Sequence, residues 1–207
     1  SDSLVNFLVL LGWHPEHEKE IFTKEELLKE FSLKRVQKAG AVFDLEKLNW
    51  LNKEHIKMTD DKILTNLVLP FLKSDWRKNP EYLEKIVKLE KPRLTVLKDI
   101  ADKIDFFFEE PAFEKDLLRW KGTQSLESAK ENLKKIQGLL GEISESEFRK
   151  EKIEEIIMPF AEEKGRGEVL WPLRVALSGR EQSPGPFEIA EVLGKEKTLK
   201  RIKNALF

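Results

Sequence analysis

Two histidines stand three residues apart in His14-Pro15-Glu16-His17, a spacing at which two imidazoles could meet one metal ion. Pro15 interrupts any helix that would align them and no third ligand is placed by sequence, so a solvated loop is the stronger reading and no metal site is assigned. The acidic pairs Glu109-Glu110 and Glu154-Glu155 resemble paired catalytic carboxylates, but neighbours along a helix do not face each other. The chain has no glycine-rich phosphate loop, no GxSxG and no HExxH. It also contains no cysteine, which excludes disulfides, thiolate nucleophiles and cysteine-based zinc sites. No catalytic residue is readable, although an intact enzyme with an unrecognised site stays open as a remote alternative.

Basic clusters are the better chemical signal. Lys195, Lys197, Lys200, Arg201 and Lys203 crowd the carboxy-terminal segment, and Lys85, Lys88, Lys91, Arg93 and Lys98 straddle Pro92. Such clusters could neutralise phosphates and give salt-dependent binding to a polyanion. They could equally be the solvated faces of a chain in which 36% of residues are charged, and composition alone favours that second reading. The 37 basic and 38 acidic side chains nearly cancel, which argues against wholesale coating of nucleic acid.

Ser183-Pro184-Gly185-Pro186-Phe187 is the most irregular segment. Two prolines around a glycine make a rigid loop whose backbone polar groups cannot all be used internally. It could read an unstacked base by main-chain hydrogen bonds, with Phe187 placed to stack. It could also be a stiff helix–helix connector with Phe187 in the core, and physics alone prefers that.

The elements that must position these residues are helical. Thr23 and Glu26 have capping-box spacing ahead of Leu27, Leu28 and Phe31. Asp44 precedes the stripe Leu45, Leu48, Leu51 and Ile56, and Thr59 is expected to open the next helix, through Ile63, Leu64, Leu67 and Phe71. Asn79-Pro80 is an N-cap with proline at the first helical position, where its missing N–H costs nothing. Pro92 must break that helix. Gly122 is expected as a C-cap, Ser125 as an N-cap, and Ser144 with Glu147 as a second capping box. Gly165-Arg166-Gly167 and Gly194 separate the last helices. No alternation marks a strand, so the expected class is all-α, a helical bundle or cage.

No apolar run approaches the roughly 20 residues of a membrane span, so no membrane partner is expected. A secretion signal is absent and cysteine is missing, which together suggest the cytoplasm. Ser1-Asp2-Ser3 leads straight into the apolar Leu4–Leu11 stretch, as in a domain excised from a longer chain. Charge and proline at Glu109-Glu110-Pro111 place an expected boundary between domains 1–110 and 111–207.

Two stretches carry a family resemblance. Leu10-Leu11-Gly12-Trp13 with Gly40-Ala41-Val42-Phe43-Asp44-Leu45-Glu46-Lys47-Leu48-Asn49-Trp50-Leu51-Asn52 resembles the region around the KMSKS-type loop of bacterial glutamyl-tRNA synthetases. Pro172-Leu173-Arg174-Val175-Ala176-Leu177-Ser178-Gly179, followed by Ser183-Pro184-Gly185-Pro186 and Leu193-Gly194-Lys195-Glu196, resembles that family's carboxy-terminal signature. Between them the likeness is mainly helical pattern plus Pro92-Arg93. It implies a stem-contact-like helical domain followed by the α-helical anticodon-binding domain of a class I synthetase, acting as a monomer on tRNA(Glu). The family's HIGH-like and KMSKS-like motifs are missing, so ATP and Mg belong to an absent catalytic domain, and the fragment is expected to lack cofactors and aminoacylation activity.

The resemblance also assigns roles. Arg93 stands where glutamate-specific members keep an arginine that reads the third anticodon base, a cytosine that separates tRNA(Glu) from tRNA(Gln). Arg174 matches an arginine that helps bind the anticodon loop. Ser183 and Pro184 match the pair lining the central base, with serine replacing the commoner threonine, and Pro186 stands where some relatives carry a contacting leucine. Gly185 and Phe187 complete that loop. Lys200 and Arg201 on the basic last helix are expected on tRNA backbone, giving affinity without sequence information. Trp13, Phe43 and Trp50 are assigned to packing. A stand-alone helical interaction module without nucleic-acid activity is the alternative from another class.

Overall fold

The computed structural model describes residues 2–37, 42–122 and 125–207. Gly40 and Ala41 of the first resembling stretch lie outside them. Among the described residues there are eleven α-helices and no strand, so the chain is all-α. It divides into two compact units, Ser1–Ala101 and Asp102–Phe207.

The first unit holds α1 (Asp2–Gly12), α2 (Lys24–Glu30), α3 (Leu45–Met58), α4 (Asp61–Val68) and α5 (Pro80–Glu90). Thr23 caps α2 by accepting from the Glu26 N–H at 3.2 Å, while Glu26 accepts from the Thr23 N–H at 2.9 Å, so both bonds of the expected box form. Asp44 caps α3 and Asn79 caps α5. Thr59, however, ends α3 instead of opening α4: its hydroxyl donates to the His55 carbonyl at 2.8 Å. Asp60 takes the N-cap, its Oδ1 accepting from two backbone N–H groups, and an acidic side chain complements the helix dipole better than a hydroxyl.

A polar hub sits inside this unit. Asn6 is fully buried, donates to the Glu20 carbonyl at 3.0 Å and accepts from the Phe22 N–H at 2.9 Å. It thereby holds the 13–23 loop on α1, over a core of Trp13, Phe22 and Leu27. Trp13 is 1% exposed, as packing requires, but Phe43 and Trp50 remain 60% and 38% exposed. Their rings meet Phe7 edge-on and the Lys47 ammonium, respectively.

Helix α6 (Ile100–Phe108) enters the second unit, which contains α7 (Leu126–Gly141), α8 (Lys150–Lys164), α9 (Arg166–Ser178), α10 (Pro186–Leu193) and α11 (Lys195–Leu206). Helix α9 packs against α7, α8, α10 and α11 and buries Val169, Leu173, Val175, Ala176 and Leu177. Pro172 lies inside it and cannot donate to the Glu168 carbonyl one turn back. The buried Asn132 on α7 donates there instead, Nδ2 to O at 3.0 Å. Gly179, in the left-handed region at φ 69°, ends α9.

Two expected caps take other forms. Lys115–Leu118 and Trp120–Gly122 make two short 3-10 turns, with Gly122 closing the second. Ser144 starts a single 3-10 turn, because its hydroxyl donates to the Glu147 carboxylate at 2.7 Å and caps no backbone; α8 begins only at Lys150.

Candidate functional site

Arg93 belongs to the first unit. Pro92 ends α5 at Glu90, and Lys91–Arg93 continues as one 3-10 turn before Leu94 turns extended. The Arg93 Nε donates to Glu90 Oε2 at 3.1 Å, and its side chain keeps 33% exposure. An arginine carries five N–H donors in a rigid fork, so the Nε bond to Glu90 engages only one of them. Around it the basic cluster is partly neutralised: Lys91 pairs with Asp61 at 2.9 Å and Lys88 reaches the same carboxylate at 4.0 Å.

The other candidates lie in the second unit. Arg174 projects from α9 and donates, Nη1 to the Ser183 carbonyl, at 2.8 Å. That bond ties α9 to the Ser183–Gly185 turn, which leads into α10 with Pro186 at its first position. Lys150 braces the same end of α10 from α8, reaching Glu188 at 2.8 Å. That hydrogen-bonded carboxylate raises the Lys150 pKa above its ordinary value.

Within the turn the side chains point inward. Ser183 is 3% exposed and its hydroxyl donates to the Pro184 carbonyl at 3.0 Å; Pro184 and Pro186 are buried, and Phe187 is 6% exposed among core residues. Phe187 therefore anchors α10 as the connector reading has it, and its ring is not available to stack on a base. What the turn offers a ligand is backbone around the partly exposed Gly185.

Arg201 requires a correction. It is 4% exposed, and its guanidinium donates to the carbonyls of Leu177, Phe106 and Glu109. Those acceptors lie at the ends of α9 and α6, where helices leave carbonyls without intrahelical partners. The cation is spent on joining helix ends and is out of reach of a phosphate. Lys200 is exposed but pairs with Glu110 at 2.6 Å, a hydrogen bond that holds the Glu110 carboxyl below its usual pKa. Lys195 donates to the carbonyls of Gly141, the last residue of α7, and Ile143 just past it.

One feature escaped the sequence reading. Trp120 and Trp171 meet with ring centroids 5.3 Å apart and line an open cleft of about 460 Å³ with Arg119, Lys121 and Glu181. The Lys121 ammonium lies 4.9 Å from the Trp120 ring, and Trp171 Nε1 donates to the Leu117 carbonyl at 2.8 Å. Trp171 stands three residues before Arg174 on α9, hence on the same helical face. The signal was that spacing, two stacking-capable groups one turn apart. In the first unit His14 and His17 line a cleft of about 600 Å³. Among the described residues no group of three or more His, Asp or Glu side chains could hold a metal ion.

The anticodon binding domain model matches residues 63–206. This chain belongs to that family. Residues 1–50 match the catalytic domain of the class I tRNA synthetases for glutamate and glutamine. The chain is 41% identical over 219 aligned positions to the glutamate–tRNA ligase of Thermodesulfovibrio yellowstonii, and 40% identical over 206 to that of Clostridium tetani. These alignments cover 100% and 98% of the chain but 45% and 42% of the relatives, so it spans less than half of their length. Among solved structures, a glutamate tRNA ligase from Elizabethkingia meningosepticum in complex with its amino acid superposes with a TM-score of 0.83 at 31% identity. That match covers 99% of this chain and 40% of the other. The anticodon-binding reading is supported, and the stand-alone interaction module is not. No helix among the described residues is long and apolar enough to cross a membrane.

Proposed function

We propose that this anticodon-binding chain is the tRNA-recognising half of a cytoplasmic, monomeric glutamate–tRNA ligase of the glutamate-specific kind, and that its tRNA is tRNA(Glu). Its two parts, a stem-contact-like region and an anticodon-binding region, divide near residue 110 in this reading. The observation that carries it is the bond between Arg174 and the Ser183 carbonyl, which presents a cation and a stiff stretch of backbone together. Bases splayed from a loop are recognised by such combinations of planar cations, aromatic rings and main-chain groups.

In this reading Arg93 meets the third anticodon base. A guanidinium donates to the acceptor edge of cytosine but meets donors on the Watson–Crick edge of guanine, so cytosine is preferred. Arg174 supports the anticodon loop, while Ser183, Pro184, Gly185 and Pro186 shape the backbone facing the central base. The Trp120–Trp171 cleft supplies a stacking surface beside Arg119 and Lys121. Lys200 exchanges Glu110 for a backbone phosphate. ATP and Mg act in the catalytic domain, whose family model this chain matches over residues 1–50 alone.

Titration with tRNA(Glu) transcripts changed at the third anticodon base tests this. Cytosine is expected to bind more tightly than guanine by about 1–3 kcal/mol, the size of a good base-edge contact. Equal affinity for the two overturns the role of Arg93.

A further inference from the structure

Helix α5 places a charged residue where its buried stripe calls for an apolar one. Leu83, Ile86 and Val87 are at most 1% exposed, and the next position on that face is Glu90, also 1% exposed. Burying a carboxylate is costly unless it is bonded, and a leucine would serve packing better. Glu90 accepts from Arg93 Nε at 3.1 Å.

The local backbone makes that meeting obligatory. Pro92 cannot continue α5, so Lys91–Arg93 forms a 3-10 turn that Glu90 itself starts. In 3-10 geometry residues three apart eclipse each other, which sets Arg93 directly over Glu90. The turn is then fixed from outside. Lys91 reaches Asp61 of α4 at 2.9 Å, Leu94 is fully buried, and Asn52 of α3 donates to the Thr95 carbonyl at 2.5 Å.

We propose that Glu90 is a positioning residue for base discrimination: it fixes the plane and direction of the Arg93 guanidinium. This rests on the assignment of Arg93 to the third anticodon base. A mobile arginine is a poor discriminator against guanine, since bidentate donation to guanine O6 and N7 is the commonest base contact arginine makes. An arginine held by a buried carboxylate on a pinned turn has one orientation to offer, and a base whose acceptors do not meet it is rejected. Glu90 thereby converts a cation that would bind any phosphate or base into a selective one.

The experiment measures affinity of the full 207-residue chain for tRNA(Glu) transcripts carrying cytosine or guanine at the third anticodon position, at two salt concentrations. The variants are Arg93→Ala, Glu90→Leu and Glu90→Gln, with thermal melts beside them. Glu90→Leu suits the apolar stripe, and Glu90→Gln keeps an acceptor oxygen should the leucine variant not fold. The expected result is a fall in the cytosine-to-guanine preference of about tenfold in Glu90→Leu and a smaller fall in Glu90→Gln. Salt dependence should stay as in the unmodified chain, because no phosphate contact is lost. A full preference retained in both Glu90 variants, with Arg93→Ala abolishing it, overturns the role of Glu90 and leaves that of Arg93 standing. Affinity for both transcripts falling equally, with the ratio intact, overturns it too. Preference retained in Arg93→Ala, or absent from the unmodified chain, overturns the Arg93 assignment itself.

Discussion

Arg174 and Ser183 are nine residues apart in sequence and joined by a hydrogen bond of 2.8 Å, guanidinium to main-chain carbonyl. The bond crosses from the middle of α9 to the entrance of α10 and closes the loop between them. A charge-assisted hydrogen bond of this kind contributes about 1.5–3 kcal/mol. Arg174→Ala is expected to lower stability by that amount in denaturant unfolding and to weaken binding of tRNA(Glu). Arg174→Lys, a point donor on a flexible stem, should recover part of the stability and little of the binding. Unchanged binding by the alanine variant would remove Arg174 from the interface.

Gly167 lies under the Trp120 ring. A Cβ built there would clash with three atoms of the indole, which is too rigid to yield. Gly167→Ala must therefore lift Trp120 away from α9 and open its contact with Trp171. The expected outcome is a shift in tryptophan fluorescence, about 1–3 kcal/mol of destabilisation from overpacking, and loss of tRNA affinity if the cleft stacks a base. Fluorescence identical to the unmodified chain would contradict the geometry.

Asn132 answers the proline in α9. With Pro172 unable to donate, the Glu168 carbonyl depends on the Asn132 amide. Asn132→Leu keeps the volume but takes that donor from a part-buried oxygen, at about 1–3 kcal/mol. Restoring the helical N–H with Pro172→Ala in the same chain should offset part of the loss, a coupling that a double-mutant cycle reads directly.

His55 links stability to pH. Its Nε2 lies 3.1 Å from Asn6 Oδ1 at the α1–α3 contact, and burial pushes its pKa below the ordinary 6.5, with the Asp2 charge opposing. The folded state therefore binds the proton less readily than the unfolded chain. The His55 contribution to stability is full above pH 6.5 and is lost as pH falls through the depressed value. His55→Gln should flatten the slope of unfolding free energy below pH 6.5; a slope as steep as before would place the titration elsewhere.

The helices were legible wherever capping chemistry is local. Thr23 with Glu26 and Asn79 with Pro80 act on backbone within three residues, so their spacing is sufficient. Thr59 and Ser144 misled because each hydroxyl had a competing acceptor nearby, the His55 carbonyl and the Glu147 carboxylate. Site residues were less legible because exposure depends on distant chain. The same Lys/Arg-rich pattern contains Lys200, on the surface, and Arg201, inside, and only the arrival of the Phe106 and Leu177 carbonyls separates them. The Trp120–Trp171 pair, 51 positions apart, required the fold to bring it together.

Neighbouring cations on α11 should thus answer mutation in opposite ways. Arg201→Met removes donors from the carbonyls of Leu177, Phe106 and Glu109 while filling similar space. The buried Leu177 and Phe106 carbonyls left without that donor cost about 1–3 kcal/mol each, so the melting temperature should fall steeply. At temperatures where the variant stays folded, its tRNA affinity should show the salt dependence of the unmodified chain. Lys200→Gln breaks only an exposed pair with Glu110, worth about 0–1 kcal/mol, so stability should barely change. If Lys200 moves onto a phosphate, the slope of log affinity against log salt should drop by about one unit in that variant alone. A lowered slope in Arg201→Met with an unchanged melt would reverse the two assignments and return the buried arginine to the interface.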